Sequence, residues 1–225
     1  MPIEERDFIQ LHYTGSTEGR IFDTTDEATA KTAGIHSEAA IYGPVTICAG
    51  SKHVILGLDE DLIGKDVGYE GTVTVAPQKG FGERDPKRIQ SFPKSRFKEK
   101  PVRGQSIKVE DVGEGTVVDV IGARVIIDFN APLAGMVLSY TYKIEEKVED
   151  TLEQMKGLIR LYAGRDMDAS FEDGKLTINL PAGITYDRRW VLWRGRIIHE
   201  GFELIKDISE ITLIENFKRP EKKEE

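Results

Sequence analysis

Apolar residues at Val54, Ile55, Leu58, Leu62 and Ile63 recur three and four positions apart, the spacing of one helical face. Between Gly50 and Gly68 the other positions include Asp59, Glu60 and Asp61, so the pattern predicts a short amphipathic helix with its acids in water. Ser51 is placed to cap its start, and Gly64 to end it in the left-handed conformation. Strand-like alternation flanks it: Phe8 to Tyr13, Gly19 to Thr24 and Pro44 to Ala49 before, Glu70 to Val75 after. Thr14-Gly15 reads as a turn, and Thr25 to Gly43, which has no firm period, as an irregular loop. One greasy-faced helix among strands buries that face by lying across their sheet, which predicts an α+β body.

The alternation resumes at Val137 to Glu145, with Leu138, Tyr140, Tyr142 and Ile144 on one face. Strands of one fold therefore stand on both sides of a different segment. In it, Ser106 to Val112, Gly115 to Val120 and Ala123 to Phe129 form a small β-meander with glycine-bearing turns. Ahead of the meander the charge changes sign. Arg84 to Lys108 holds nine Lys or Arg against Asp85 and Glu99, a local +7 in a chain of net −8. Ile89, Phe92, Phe97 and Val102 are interleaved with these charges, and Pro93 and Pro101 are expected to prevent regular structure there. A meander this small buries little alone, so the basic stretch should pack on it. The chain thus divides into a body of 1–85 plus 130–148 and a small β-rich insert of 86–129.

Residues 149–225 follow the order α-β-β-α-β and are expected to form a separate α+β domain. Thr151-Leu152-Glu153-Gln154 reads as a capping box opening a helix with Leu152, Met155, Ile159 and Tyr162 on one face and Gly164 at its end. Asp173-Gly174 marks a hairpin between Asp168–Glu172 and Lys175–Leu180. A helix from about Thr185 to Ile205 carries Trp190, Trp193 and Ile197, and a strand covers Ile211 to Phe217. The two tryptophans are read as a packing surface for a second copy of the chain, a homodimer. Lys218 to Glu225 reads as a charged tail.

Composition narrows the chemistry. The chain has 225 residues, 39% of them apolar and 31% charged, and no apolar run near the ~18 residues that cross a bilayer. Its one cysteine, Cys48, allows no internal disulfide, and a cytoplasmic protein is expected. His12, His36, His53 and His199 are scattered, so no metal is expected, and no cofactor loop is present: Gly113-Glu114-Gly115 opens a strand rather than a helix. What remains is an aromatic and aliphatic constellation beside one acid: Tyr13, Phe22, Asp23, Val54, Ile55, Leu58, Phe81 and Tyr140.

These residues carry a resemblance. Tyr13-Thr14-Gly15 followed by Gly19-Arg20-Ile21-Phe22-Asp23-Thr24 resembles the opening signature of FKBP-type peptidyl-prolyl cis-trans isomerases. Val54-Ile55-Leu56-Gly57-Leu58 is similar to the pocket-floor helix of that family, and Phe81-Gly82 to the aromatic-glycine pair of its flap. The interruption of the flap, resuming at Asn130-Ala131-Pro132-Leu133-Ala134-Gly135, resembles the SlyD-like branch with its insert-in-flap domain. With the final domain, the whole looks like a long-type archaeal member. Leu58 stands where many members have Trp and Phe81 where many have Tyr, which implies a shallower pocket and weaker macrolide binding. The His-rich tail of many SlyD proteins is absent.

The resemblance implies an FKBP-like fold, an antiparallel β-sheet wrapped on a short helix with the insert at the flap. It also implies a prolyl isomerase with chaperone activity and no cofactor, acting on unfolded, proline-containing polypeptides. Val54, Ile55, Leu58 and Tyr140 would form the wall against the proline ring. Phe22 and Phe81 would flank the carbonyl with Leu133 nearby, and Asp23 with Tyr13 would set a polar edge. Ile89, Phe92, Phe97 and Val102 of the insert would grip clients. The second reading is a non-catalytic holdase, or a ribosome- or RNA-docking protein acting through the basic insert.

Overall fold

The computed structural model describes residues 1–217, so the charged tail read for 218–225 lies outside the described residues. The first strand, β1 (Phe8–Thr17), does not turn at Thr14-Gly15 as expected. Those two residues pair with Thr24 and Asp23 of β2 (Arg20–Thr24), and the reversal falls at Glu18-Gly19, where φ is +48° and +75°. The supposed irregular loop contains a helix, α1 (Glu27–Ala33), started by Asp26, whose carboxylate accepts from Thr29 N–H at 2.7 Å. Only Ala30 of α1 is buried, so no apolar period announces it. β3 (Val45–Cys48) pairs antiparallel with the start of β1.

The amphipathic helix is α2 (Leu56–Leu62), shorter than the sequence pattern implies. Ser51 does not cap it. Ile55 stands at the cap in extended conformation without a side-chain hydrogen bond, because the preceding loop is organised by another residue. Asp59, expected in water, is buried, and its carboxylate accepts from Gly50 N–H (3.0 Å) and Lys52 N–H (2.9 Å). Two backbone donors that would otherwise be orphaned are thereby satisfied, which offsets the cost of burying a charge. Asp61 is half-buried, and only Glu60 of the three acids is exposed. Leu58 and Leu62 are wholly buried, as the spacing predicts. β4 (Glu70–Val75) follows.

The chain then enters a second compact unit, Val75–Leu138. It is a four-stranded antiparallel sheet. The meander forms β6 (Ser106–Val109), β7 (Gly113–Ile121) and β8 (Arg124–Asp128), as expected. The basic stretch is not free of regular structure: Ile89–Pro93 forms β5 and pairs with β8, giving the order β5-β8-β7-β6. Pro93 is tolerated because it ends an edge strand. Phe92, Val109, Val117, Val125, Ile127 and Phe129 make the unit's core, and Phe97 packs against it. Phe92 meets Phe97 and Phe129 edge-on, with centroids at 6.5 and 6.0 Å.

The chain leaves this unit into β9 (Leu138–Lys147), which pairs with β1 on one side and β4 on the other; the sheet order is β2-β1-β9-β4, with β3 also on β1. Leu138, Tyr140, Tyr142 and Ile144 are all buried, as their alternation predicts. On β9, Tyr142 donates its hydroxyl to Asp61 of α2, tying helix to sheet.

α3 (Thr151–Ala163) is capped by Asp150 rather than Thr151, with Glu153 N–H donating to the Asp150 carboxylate at 2.9 Å. Gln154 donates to Val148 O instead of completing a capping box. Gly164, at φ +66°, ends the helix. β10 (Asp168–Glu172) and β11 (Lys175–Leu180) form the hairpin at Asp173-Gly174. α4 (Arg188–Leu204) then crosses over to β12 (Glu210–Glu215), which lies parallel to β11, a geometry that requires such a crossover.

This last segment does not stand apart. Phe8, Cys48 and Val148 share one core with Met155, Leu158, Ile159, Trp190 and Ile197. A Cβ on Gly157 of α3 would lie 2.5 Å from Thr46 of β3, so only glycine permits that approach. Within the described residues, Met1–Thr74 and the chain from Ser139 to Phe217 form a single compact unit. Trp190, read as part of a surface, is 1% exposed and belongs to this core. Among the described residues no helix is long and apolar enough to cross a membrane.

Candidate active site

Strand register brings four of the sequence-derived residues together. Gly15 of β1 stands opposite Asp23 on β2 and Tyr140 on β9. Across this gap the Tyr13 hydroxyl donates to Asp23 Oδ2 at 3.0 Å. The Tyr13 and Tyr140 rings lie 5.9 Å apart and tilted, and Phe22 meets Tyr140 edge-on at 5.8 Å. Tyr140 is buried, Tyr13 and Phe22 are half-buried, and Asp23 is exposed. The group is therefore a cluster of packed aromatic rings with one exposed carboxylate beside it.

Both phenols are held protonated. Burial, then the charge and hydrogen bond of Asp23, then Tyr140, push the Tyr13 hydroxyl well above the ordinary tyrosine range. Burial, then Asp23, push Tyr140 up to about 12. At neutral pH each offers a proton as a donor and neither serves as a base.

Sequence reasoning quoted Gly15 only as part of a motif, yet its missing side chain makes the group possible. A Cβ there would lie 2.8 Å from both Phe22 Cζ and Tyr140 Cε1. Gly15→Ala must displace one ring, an overpacking change that typically costs ~1–3 kcal/mol. We expect kcat/KM for a short X-Pro peptide to fall about tenfold in this variant while the fold still melts cooperatively, ~1.4 kcal/mol of transition-state stabilisation. A protease-coupled assay checks this, and an unchanged rate would remove Gly15 from the site.

Val54, Ile55 and Leu58 are delivered by the loop into α2 and by its first turn. Val54 and Ile55 are half-buried, whereas Leu58 is wholly buried and belongs to the core. The loop is clamped twice. Asp59 holds the amides of Gly50 and Lys52. His53, its side chain fully buried, accepts from Cys48 N–H through Nδ1 (3.0 Å), so Nε2 carries the proton and donates to Glu200 of α4 at 2.9 Å. Glu200 also accepts from the Tyr162 hydroxyl (2.8 Å) and from Arg196 Nε (2.7 Å). Burial would push the Glu200 carboxyl up, but the hydrogen bonds from His53, Arg196 and Tyr162 outweigh it and hold the carboxyl at about 2. No signal in the sequence links positions 53 and 200. Burial pushes the Cys48 thiol up, as suits a core cysteine.

Phe81 and Leu133 belong to the second unit. Phe81 is 45% exposed and Leu133 half-buried. Their turns are tied side by side, with Gly135 N–H donating to Gly82 O at 2.8 Å. Of the client-gripping set, Val102 is 62% exposed and Ile89 and Phe97 are half-buried. Phe92 is 8% exposed and serves the core, so it offers no surface. Among the described residues no cluster of three or more His, Cys, Asp or Glu side chains is placed to hold a metal ion.

Residues 2–98 match the family described as FKBP-type peptidyl-prolyl cis-trans isomerase. A protein of Methanocaldococcus jannaschii named short-type peptidyl-prolyl cis-trans isomerase is 33% identical over 147 residues, 64% of this chain and 93% of that protein. The chain belongs to the FKBP-type peptidyl-prolyl cis-trans isomerases. Haemophilus influenzae SlyD, named as an isomerase of the same type, is 32% identical over 123 residues, 52% of this chain and 65% of SlyD. Aeromonas hydrophila SlyD is 27% identical over 160 residues, 69% of each chain. Residues 151–218 match a second family, described as FKBP26_C-terminal. This FKBP-type isomerase therefore joins a family catalytic segment to a C-terminal one that shares its core.

Proposed function

We propose that this isomerase lowers the barrier to rotation about X-Pro bonds by desolvation against the packed rings around Gly15, without covalent or acid-base chemistry. The barrier is ~18–20 kcal/mol because the amide is conjugated. Twisting localises the lone pair on nitrogen and withdraws charge from the carbonyl oxygen. A surface that strips water from that oxygen therefore favours the twisted state over the planar one. Tyr13, Phe22 and Tyr140 supply that surface, with Val54 and Ile55 as further wall and Leu58 beneath. The observation that carries the reading is the Tyr13–Asp23 hydrogen bond among three packed rings, a polar rim on an otherwise apolar site. Phe81 and Leu133 are assigned to the site by family resemblance alone.

Asp23→Ala should lower kcat/KM on an X-Pro tetrapeptide about tenfold or more, since a hydrogen bond to a charged group is worth ~1.5–3 kcal/mol. Its circular dichroism should match the parent, because Asp23 is exposed. A chelator should leave the rate unchanged. If Asp23→Ala keeps the parent rate, the polar rim has no catalytic part.

The second unit is assigned a chaperone role toward unfolded, proline-containing chains. Its exposed Val102, Val112, Ile121 and Val137 give the apolar surface such a role needs, among lysines and arginines that keep it in solution. Docking of the basic stretch on a ribosome or on RNA is the competing outcome if the exposed aliphatic residues prove dispensable in client refolding.

A further inference from the structure

α4 opens Arg188-Arg189 and continues through Arg194 and Arg196, four arginines before its first acid, Glu200, in a chain of net charge −8. Of these, only Arg196 bears on the isomerase reading, through its bond to Glu200. Arg189 and Arg196, with Lys52 from the loop ahead of α2, line a cleft of about 370 Å³ completed by His53, Leu161, Tyr162 and Trp193. No carboxylate is among its lining residues. Glu200 lies behind them, its oxygens already taken by His53, Tyr162 and Arg196.

The donors are held in place. Arg189 spends Nε and Nη2 on the carbonyls of Tyr162 (2.7 Å) and Leu161 (2.9 Å), which fixes its guanidinium at the end of α3. Arg196 spends Nε on Glu200 and stacks over the Tyr162 and Trp193 rings, with its guanidinium carbon at 5.2 and 5.9 Å from their centroids. Its guanidinium also interacts with the Tyr162 hydroxyl, while the Lys52 side chain makes no hydrogen bond or ion pair among the described residues. Three cations thus face one concavity against a single, fully engaged carboxylate. Guanidinium forks immobilised in this way match the oxygens of a phosphoryl group, and ordering them costs no further side-chain entropy.

We propose that this cleft binds a phosphoryl group, free or carried by a nucleotide. The cleft is larger than one phosphate, and Trp193 and Tyr162 form its remaining wall. Its occupant would bear on the isomerase site through His53, which lines the cleft and directly precedes Val54 and Ile55. That coupling rests on the isomerase reading; binding itself does not.

The test uses the full chain and inorganic pyrophosphate at low salt, read by tryptophan fluorescence. Trp193 lines the cleft and Trp190 is buried, so a Trp193→Phe variant should lose the signal. We expect a saturable response with Kd below about 1 mM, weakening with added salt. Lys52→Gln should weaken it about tenfold, since a ~1.4 kcal/mol loss is tenfold in Kd. Lys175→Gln, which removes an ammonium that pairs with Glu210 and does not line the cleft, should not. ADP that displaces pyrophosphate and binds more tightly would identify the source as a nucleotide, and pyrophosphate binding without displacement by ADP a free phosphate. No saturable response up to about 10 mM, or one that Lys52→Gln leaves intact, overturns the proposal. Pyrophosphate should also change the rate on an X-Pro peptide in the parent and not in Lys52→Gln; binding without that change overturns the coupling alone.

Discussion

Cutting the chain after Val148 should lower its thermal midpoint by about 10 °C or more and slow its isomerisation of a short X-Pro peptide. The body and the C-terminal segment are consecutive in sequence but bury one core. Phe8, Cys48 and Val148 lose their partners from α3 and α4 when the segment is removed. Re-exposing side chains of that size costs ~1.5–3 kcal/mol each, and ~2–4 °C per kcal/mol is typical for this chain length. The truncated body should still fold cooperatively. The rate should fall because His53, two residues ahead of the α2 cap, loses Glu200. Glu200→Ala is the narrower version: it leaves a buried imidazole N–H and a buried tyrosine hydroxyl without an acceptor, at ~1–3 kcal/mol each. Glu200→Gln, which still accepts from His53, should recover most of the rate.

The pH dependence follows from the direction of the Glu200 shift. Its carboxyl is lowered in the fold from an ordinary 4.5 to about 2, so the stability it contributes is complete above about 4.5 and is lost as pH falls toward 2. Acid melts of the parent should show this loss, and Glu200→Gln should lack it. A truncated body with the parent's midpoint would mean the shared core contributes nothing. Light scattering of the same pair reads self-association, for which exposed Tyr186, Val191 and Leu192, rather than Trp190, are the available surface.

Elements whose side chains announce their own geometry were legible before the fold was known. Asp173-Gly174 demands a tight reversal, Gly164 a left-handed stop, and Leu138 to Ile144 a strand with one buried face, and all three are present. Tyr13, Phe22, Asp23 and Tyr140 were legible as a group because strand alternation carries them to neighbouring positions. What escaped depends on partners remote in sequence or on the lack of a side chain. α1 is held by its Asp26 cap and buries only Ala30, so it has no apolar stripe to read. Asp59 looked like a solvent face until its carboxylate met two loop amides, and Ser51 lost the capping role to that same arrangement. Gly15 matters through atoms it does not have. Phe92 sits among lysines and arginines in sequence, and only its pairing opposite Val125 places it in a core.

That placement of Phe92 separates two variants of the second unit with opposite expected behaviour. Phe92→Ser should unfold the insert. It removes the ring from a core of six buried residues and leaves a hydroxyl among Phe129, Val125 and Ile127, and Phe truncation in a core costs ~3–5 kcal/mol. A sheet this small has little stability to spare. The rate on a tetrapeptide should change little if the catalytic residues are those around Gly15, which lie in the other unit. Val102→Ser with Ile121→Ser should instead leave the insert folded, since these side chains are 62% and 60% exposed, and proton exchange in β7 and β8 should stay slow. Refolding of a protein limited by proline isomerisation should nevertheless slow several-fold in both variants. Such a client has to be held by apolar contacts while its prolines sample the site, and the double variant removes contact surface without removing structure. The client assay alone cannot tell a lost surface from a lost fold, and exchange in β7 and β8 makes that distinction. If the double variant refolds the client as fast as the parent, exposed aliphatic residues are not the grip, and the basic stretch from Arg84 to Lys108 becomes the surface to test against RNA or ribosomes.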